Sequence, residues 1–372
     1  MQQTDILKDI LQGKTLSAPQ SQAIFDAILS DQDQNGAWSD AHIAALLSLL
    51  AMRGETDQEI LGAARAMRHH AAALNAPEGA IDCCGTGGDA ASSAAKNGTL
   101  NISTAVAFVL AGLDVPVAKH GNRAASSRSG AADVLESIGV PLESNVSKLE
   151  SALTATNFCF LMAPHHHKAM KRVAPIRKAL GFRTIFNMLG PLSNPAGVKF
   201  QLIGVFDRKL LHPFANALKE LGSTGAWIVH GRDGMDEITV TDKTDIVCLG
   251  QDGRITERTI DPQELGLKRH SPSSLNGGDA AHNAAALAQL LSGEPSADTP
   301  FILPDIAQES LAAYHDIVCL NAAAALVITG KAADLPQGLA MAKDCIAKGH
   351  AWKKLNDYKD FLSRQRQDAQ DT

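Results

Sequence analysis

Apolar residues in the first 75 positions recur at helical spacing. The stretch 43–50 places Ile, Leu, Leu and Leu at i, i+3, i+4 and i+7, which is the pattern of an amphipathic helix, and Gly54 supplies a stop. Ser17 precedes an earlier helical stretch, and Thr56 with Glu59 forms a capping box that predicts a further helix start. We therefore expect residues 1–75 to fold as a small group of helices.

The pattern changes near residue 80, after a break at 75–79 that contains Pro and Gly. Short apolar runs then alternate with helical stretches, which predicts a mostly parallel sheet covered by helices, an α/β fold. Strands are predicted at 80–84, 115–118, 158–162, 199–205 and 226–230, with 238–240 and 245–249 as antiparallel additions. Helices are predicted at 101–110, 131–138, 146–153, 212–221, 277–291 and 312–327, and the polar tail after Lys353 is expected to fray at 365–372.

Composition narrows the class of protein. The 372 residues are enough for about two domains, and 45% hydrophobic residues are ordinary for a globular chain. A net charge of −6 argues against a general nucleic-acid surface. We see no signal peptide, no apolar run long enough to span a bilayer, and six scattered cysteines typical of reduced core thiols. We expect a cytoplasmic protein without membrane or nucleic-acid partners.

The strongest candidate for chemistry is the glycine-rich stretch 85–89, which follows the strand predicted at 80–84. Glycines there let a ligand approach the backbone closely, and successive N–H groups can cradle an anion. The helix predicted to begin near Asn101 would add the partial positive charge of its N-terminus. Together these features predict a phosphate site, although glycine loops are often plain tight turns.

Two further strand ends carry polar residues. Lys119–Arg123 places a cation, an imidazole and an amide beyond one predicted strand, and its alternative reading is a basic surface loop. Asp236 and Glu237 follow the strand predicted at 226–230. Adjacent carboxylates suit Mg²⁺ bound together with phosphate oxygens, and the alternative is a solvated acidic turn.

Residues 163–195 form a third polar region. Three consecutive histidines, 165–167, suggest a metal, but neighbours on a helix point in different directions and cannot all face one ion. Arg177 could bind a carboxylate through both of its terminal nitrogens, or form a surface ion pair. No Ser–His–Asp set or P-loop signature is present. These candidate residues favour catalysis by positioning and charge stabilisation, without a covalent nucleophile.

Taken together, these motifs resemble the anthranilate phosphoribosyltransferase family, and the likeness covers nearly the whole chain. It rests on Gly-Thr-Gly-Gly-Asp at 85–89, Asn-Ile-Ser-Thr at 101–104, Lys-His-Gly-Asn-Arg at 119–123, the stretch 183–192, and Asp236–Glu237. The resemblance implies that phosphoribosyl pyrophosphate (PRPP) and anthranilate are converted to phosphoribosyl anthranilate and pyrophosphate with Mg²⁺, the second step of tryptophan biosynthesis from chorismate.

The resemblance also implies roles for individual residues. PRPP would be held by Gly85, Thr86, Gly87, Gly88, Asp89, Thr99, Asn101, Ser103, Thr104 and Lys119, with Lys119 neutralising phosphate charge. Anthranilate would be bound by Gly87, His120, Asn122, His167, Arg177 and Pro191. Mg²⁺ would be bound by Ser103, Asp236 and Glu237. No residue is expected to act as a catalytic acid, base or nucleophile.

The fold implied by the resemblance is a small helical domain plus a larger α/β domain of the nucleoside phosphorylase type. Residues 1–76 would form the helical domain, joined by a returning segment near 174–196, and 77–173 with 197–372 would form the α/β domain. A homodimer through the helical domain is implied, as is an association with anthranilate synthase. The chain departs from the family pattern at 90–97, which looks inserted, and at Lys168, where the family often has proline.

Two other readings remain at this point. A pyrimidine nucleoside phosphorylase would share the fold and the glycine-rich anion loop, but Asp236–Glu237 and the stretch 183–191 favour the phosphoribosyltransferase. A non-catalytic relative that binds nucleic acid should show a basic face and a degraded glycine loop, whereas this chain is acidic and keeps residues 85–89.

Overall fold

The structure, a computed structural model, describes residues 2–30, 38–87, 98–124, 128–293 and 306–368. Within these ranges one sheet contains seven strands: β1 (Ile81–Gly85), β2 (Val117–Gly121), β3 (Phe158–Met162), β4 (Phe200–Gly204), β5 (Gly225–Gly231), β6 (Thr244–Leu249) and β7 (Ile255–Ile260). The helices are α1 (Gln3–Leu11), α2 (Ala18–Leu29), α3 (Asp40–Arg53), α4 (Asp57–His69), α5 (Ile102–Gly112), α6 (Ala131–Ser137), α7 (Val146–Thr156), α8 (Ala163–His166), α9 (Met170–Leu180), α10 (Phe186–Leu192), α11 (Leu211–Glu220), α12 (Ala280–Ser292), α13 (Gln308–Ile328), α14 (Leu335–Ala347) and α15 (His350–Asp368).

The strand order of the sheet is β3-β2-β1-β4-β5-β6-β7. The first five strands in this order are parallel, and β6 and β7 are antiparallel additions. The chain moves outward from β1 to β3, then returns to place β4 on the other side of β1. The order therefore reverses between β1 and β4, and ligands of open α/β sheets bind at such a reversal, beyond the carboxyl ends of the strands.

Helices cover both faces of the sheet, so the central strands are apolar on both sides. Leu202 packs into a core that contains α5 and α12–α15, while its neighbour Ile203 packs into a second core on the opposite face. This second core contains the N-terminal helices α1–α4 together with Val173, Ile176 and the apolar residues of α10. The N-terminal helices are thus packed with chain segments from the middle of the sequence.

The predicted α/β class is confirmed, and each parallel strand lies within a few residues of its predicted position. The strand predicted at 238–240 is wrong. The backbone N–H of Ile238 donates to Oδ1 of the buried Asn321 at 3.0 Å, and its carbonyl accepts from Nδ2 at 2.8 Å. A side chain therefore satisfies the groups that a neighbouring strand would otherwise have to pair.

The C-terminal region also differs from the prediction. Helix α15 continues to Asp368, past the start of the fraying predicted at 365–372, and residues 369–372 lie outside the described residues. Leu355, Tyr358 and Leu362 form a buried stripe at helical spacing along this helix. Strand β7 and helix α14 were not predicted. Residues 256–259 of β7 are polar and exposed, as on a solvated edge strand, so they carry little apolar signal.

Within the described residues, one helix is long and apolar enough to be a candidate for a membrane span by length and composition alone. Helix α13 has 21 residues and is apolar enough for a membrane span, but 72% of its apolar window is buried inside the protein. The core helix of a folded domain meets the same criteria. All six cysteines are free thiols, and all but Cys84 are buried, as predicted.

Candidate active site

A cavity of about 630 Å³ lies at the carboxyl ends of β1 and β2, where the strand order reverses. Its volume is in the range of small-molecule sites. One wall consists of strand-end loops and the start of α5, and the other consists of residues from α4, α9 and α10. It brings together these residues predicted from the sequence: Gly85, Thr86, Gly87, Thr99, Asn101, Ser103, His120, Asn122, His167, Arg177, Pro191, Asp236 and Glu237.

Close packing of glycines against Asp236 builds one end of the cavity. A Cβ atom at Gly85 would lie 2.3 Å from Oδ2 of Asp236, and one at Gly204 would lie 1.5 Å from its carbonyl oxygen. Gly85 and Gly204 are paired at the ends of β1 and β4. The N–H of Gly87, a residue with φ of +70°, donates to Oδ2 of Asp236 at 2.9 Å. The absence of side chains thus brings the Asp236 carboxylate against the glycine-rich turn.

The start of α5 is held rigidly beside this turn. The Asn101 side chain accepts from Nδ2 of Asn283 at 2.8 Å, and its carbonyl accepts from the Tyr314 hydroxyl at 3.1 Å. Asn101, Ile102 and Ser103 line the cavity, so the positive end of an 11-residue helix faces it. Backbone N–H groups and helix dipole together make this end suitable for an anion.

Lys119, which the sequence analysis expected to neutralise phosphate charge, does not line the cavity itself. Its side chain is buried, and Nζ donates to the Cys83 carbonyl at 2.8 Å and to Oγ of Ser103 at 3.0 Å. Burial raises the pKa of Asp82, and the positive charge of Lys119 opposes that rise. Lys119 therefore acts on the cavity through Ser103, and it offsets a buried carboxyl that the sequence analysis did not identify.

Two of the other residues predicted for PRPP, Gly88 and Asp89, lie outside the described residues, as does the stretch 90–97. Thr104 is buried on α5 and does not line the cavity. Glu237 does line it, next to Asp236. Its charge contributes to raising the pKa of the Tyr314 phenol, although burial is the larger cause.

His120 and His167 also line the cavity and lie side by side, with ring centroids 5.2 Å apart. Burial, followed by neighbouring histidines, lowers the pKa of His120 to about 3 and that of His167 to about 4. Both rings are therefore neutral at pH 7. Nδ1 of His120 lies 3.1 Å from the Gly190 carbonyl, which can only accept, so Nδ1 carries the proton and Nε2 presents a lone pair.

The three histidines at 165–167 do not converge, as expected. Nδ1 of His166 interacts with the Ala72 carbonyl at 3.2 Å, on the connector after α4, whereas His167 lines the cavity. His166 and His167 therefore contact different parts of the protein and do not point at one ion position.

Arg177 reaches the cavity from α9. Nη2 donates to Oδ1 of Asn187 at 3.4 Å, and the guanidinium lies 5.8 Å from the centroid of the Phe186 ring. Burial lowers the pKa of Arg177. A half-buried guanidinium that lines the cavity is suited to a carboxylate ligand. Asn122 is more exposed at the rim, and Pro191 is buried in the wall.

Sequence analysis missed several residues that line the cavity. Met170, Ala174 and Arg177 follow an i, i+4, i+7 pattern on α9, and Lys171 lies beside them. The helical spacing from Arg177 is the sequence signal that could identify Met170 and Ala174 as residues on the same face. Met67 at the end of α4 carried no such signal, because nothing in the sequence indicates which helix faces the cavity.

Comparison with known proteins agrees with this architecture. Residues 77–352 match the family model described as the a/b domain of a glycosyl transferase family, and residues 4–71 match its helical bundle domain. The anthranilate phosphoribosyltransferase of Azorhizobium caulinodans is 46% identical over 351 residues, which cover 94% of each chain.

Solved structures give the same result. The anthranilate phosphoribosyltransferase of Thermus thermophilus superimposes with a TM-score of 0.83 at 38% identity, covering 96% of this chain and 99% of that chain. The Saccharomyces cerevisiae enzyme in complex with PRPP and Mg gives 0.82 at 28% identity, covering 97% and 98%. The yeast enzyme in complex with 4-fluoroanthranilate gives 0.80 at 25% identity, covering 96% and 97%. This chain therefore belongs to the anthranilate phosphoribosyltransferase family.

Proposed function

We propose that the chain transfers the phosphoribosyl group of PRPP to the amine of anthranilate, giving N-(5-phosphoribosyl)anthranilate and pyrophosphate. The observation that carries the proposal is a single cavity lined by two chemically different groups of residues. The first group has backbone N–H groups, a helix start and two carboxylates, and the second has neutral imidazoles and a guanidinium. Relatives that match nearly the full length of the chain are named anthranilate phosphoribosyltransferase. The proposed reaction is the second step of tryptophan biosynthesis from chorismate.

The first group of residues, which can bind an anion, forms the PRPP site in this proposal. Gly85, Thr86 and Gly87 contact the diphosphate and ribose, and Thr99, Asn101 and Ser103 hold the phosphates at the start of α5. The proposed roles of Gly88 and Asp89 come from the resemblance alone. Lys119 contributes charge from behind Ser103, at 3.0 Å from its hydroxyl, and Thr104 supports the helix from its buried side.

Asp236, Glu237 and Ser103 would hold Mg²⁺. The donor set fits, because two carboxylates and a hydroxyl are the oxygen ligands that this ion prefers, and all three residues line the cavity. When bound, the ion supplies positive charge that stabilises the leaving diphosphate. The N–H of Gly87 fixes the orientation of the Asp236 carboxylate.

The second group of residues would bind anthranilate. Arg177 pairs with its carboxylate, and Gly87, Asn122 and Pro191 complete the pocket between the two substrates. His120 and His167 stay neutral, so they do not compete with Arg177 for the carboxylate. Nε2 of His120 has no hydrogen-bond partner among the described residues, and its lone pair can accept an N–H of the aromatic amine.

The reaction needs alignment more than proton abstraction. The bond from ribose C1 to the diphosphate oxygen breaks, the bond from C1 to the amine nitrogen forms, and the amine then loses one proton to solvent. An aromatic amine is neutral at pH 7 and already nucleophilic, so holding it against C1 supplies much of the rate enhancement. The backbone donors absorb the charge that develops on the leaving group. No residue needs to act as a covalent nucleophile.

Dimerisation through the helical domain is part of the same proposal. The large apolar side chains that are most exposed within the described residues are Leu11, Met52 and Phe182, which lie at the ends of α1 and α3 and just after α9. All three belong to the helical side of the molecule, where a partner chain would cover them.

Three other expectations stay predictions from the resemblance. They are the division into residues 1–76 with 174–196 and the rest, the cytoplasmic location, and an association with anthranilate synthase.

The decisive assay follows the loss of anthranilate fluorescence in the presence of PRPP and Mg²⁺. We expect turnover that requires both, and none after Asp236→Ala and Glu237→Ala are combined. Turnover of a pyrimidine nucleoside with phosphate, in place of this activity, would favour the nucleoside phosphorylase reading. Salt-sensitive DNA binding without turnover would favour the non-catalytic reading.

A further inference from the structure

Two histidines and an aspartate form a compact cluster on the helical side of the molecule. His69 is the last residue of α4, His70 follows it, and Asp26 lies on α2. Nδ1 of His69 and Nε2 of His70 each lie 3.1 Å from Oδ1 of Asp26. None of the three lines the cavity described above. In the part of the chain that the structure describes, no other group of three His, Cys, Asp or Glu side chains converges this closely.

The spacing of the donor atoms matches a tetrahedral metal ion. Ligand atoms at about 2.0–2.1 Å from a tetrahedral zinc lie roughly 3.3 Å from one another. Two of the three separations in the cluster are 3.1 Å, and all three are within 4.8 Å. The His69 side chain is 70% exposed, so its ring is free to turn and shorten the remaining separation.

The chemistry of the donors selects the class of ion. Two imidazole nitrogens and one carboxylate oxygen favour zinc, nickel, cobalt or copper over magnesium, which prefers oxygen ligands. The neighbouring cations are already engaged elsewhere. Arg65 pairs with Glu220 at 3.9 Å, and Nε of Arg68 donates to the Leu192 carbonyl at 2.7 Å.

We propose that Asp26, His69 and His70 bind one divalent transition-metal ion of the zinc class, with water completing the coordination. The ion replaces the two N–H protons that otherwise point at Oδ1 of Asp26. It links α2 to the end of α4, directly before the connector on which Ala72 donates to the His166 carbonyl at 2.9 Å. Because the ion binds the folded arrangement, it also stabilises the fold.

The test is a Zn²⁺ titration of the full chain by calorimetry, after treatment with a chelator and with Mg²⁺ in large excess to occupy oxygen-donor sites. We expect about one ion per chain, with affinity at least roughly tenfold weaker in His70→Ala and in Asp26→Asn. Co²⁺ should give the intense visible absorption of a tetrahedral site, and Zn²⁺ should raise the melting temperature of the wild type but not of Asp26→Asn.

The matched control is His212→Ala. The His212 ring pairs with Glu257 at 2.8 Å on the surface, but the pair has no second imidazole among the described residues, so removing it should leave Zn²⁺ affinity unchanged. Circular dichroism should be used to check that each variant folds, and His69→Ala provides a second ligand variant at an exposed position. The proposal is overturned if the wild type binds no stoichiometric Zn²⁺, or if His69→Ala and Asp26→Asn both retain wild-type affinity.

Discussion

Gly85→Ala tests whether the packing of Asp236 against the glycine-rich turn is required for activity. The added Cβ would lie 2.3 Å from Oδ2 of Asp236, whereas ordinary contact begins at 3.4 Å. The carboxylate must therefore retreat by about 1.1 Å. It cannot do so together with its backbone, because the Asp236 carbonyl is packed against Gly204. We expect the hydrogen bond from the Gly87 N–H to break and the proposed Mg²⁺ ligand to be misplaced.

A displacement of this size costs on the order of 100-fold in catalytic efficiency when it affects a positioned group. Overpacking costs about 1–3 kcal/mol of folding free energy, which a domain of ordinary stability of roughly 5–15 kcal/mol can tolerate. We therefore expect a folded variant with kcat/KM about 100-fold lower and a higher Mg²⁺ requirement. The assay is anthranilate fluorescence at varied Mg²⁺, with folding checked by circular dichroism.

Gly225→Ala is the matched control. It adds the same methyl group to the same sheet, where the Cβ would meet the Phe200 ring at 3.2 Å and no residue of the cavity. We expect its Mg²⁺ requirement to equal that of the wild type. The reasoning is refuted if folded Gly85→Ala shows wild-type turnover and wild-type Mg²⁺ dependence.

Three further predictions concern other residues of the site. Folding lowers the pKa values of His120 and His167, so the unfolded chain binds more protons below about pH 6.5, and the free energy of unfolding should fall as pH decreases from about 7 to 5. In urea unfolding of His120→Gln, the slope of this free energy against pH should be smaller by up to about 1.4 kcal/mol per pH unit. An unchanged slope would contradict the lowered pKa of His120. Arg177→Ala should raise the KM for anthranilate more than that for PRPP in steady-state kinetics, with Arg177→Lys intermediate, and equal increases would count against a carboxylate contact. Lys119→Met should lower the free energy of unfolding by roughly 3 kcal/mol, and adding Asp82→Asn should recover part of the loss; a double variant no more stable than the single would show that the two charges are not coupled.

Much of the fold could be predicted from local pattern. Strand β3 is five consecutive apolar residues and was predicted to the residue, because a strand buried on both faces leaves a continuous apolar run. The end of β2 was harder to place. Lys119, His120 and Gly121 read as a loop beyond the strand, yet they are its last three residues. A buried lysine leaves no signature in the sequence, since its partners Cys83 and Ser103 come from other elements.

The sequence pointed to residues that the structure places in one cavity, but not to the contacts between them. Glycines and carboxylates at strand ends indicated an anion and metal site, and the structure places the Gly87 nitrogen 2.9 Å from Oδ2 of Asp236 across 149 positions of sequence. What could not be predicted is which glycine packs against which carboxylate. The same limit explains Ile238, whose partner Asn321 is 83 positions away. Long-range side-chain contacts of this kind override a local strand pattern.

The central claim is that one cavity holds both substrates, with the diphosphate beside the glycine-rich turn and the anthranilate ring beside the imidazoles. A crystal structure of the chain with PRPP, Mg²⁺ and an unreactive anthranilate analogue tests it most directly. The account predicts diphosphate oxygens within hydrogen-bond distance of the turn at Gly87 and the start of α5, the ion on Asp236 and Glu237, and the analogue's carboxylate on Arg177. PRPP bound outside this cavity, or an analogue whose carboxylate lies away from Arg177, would contradict it.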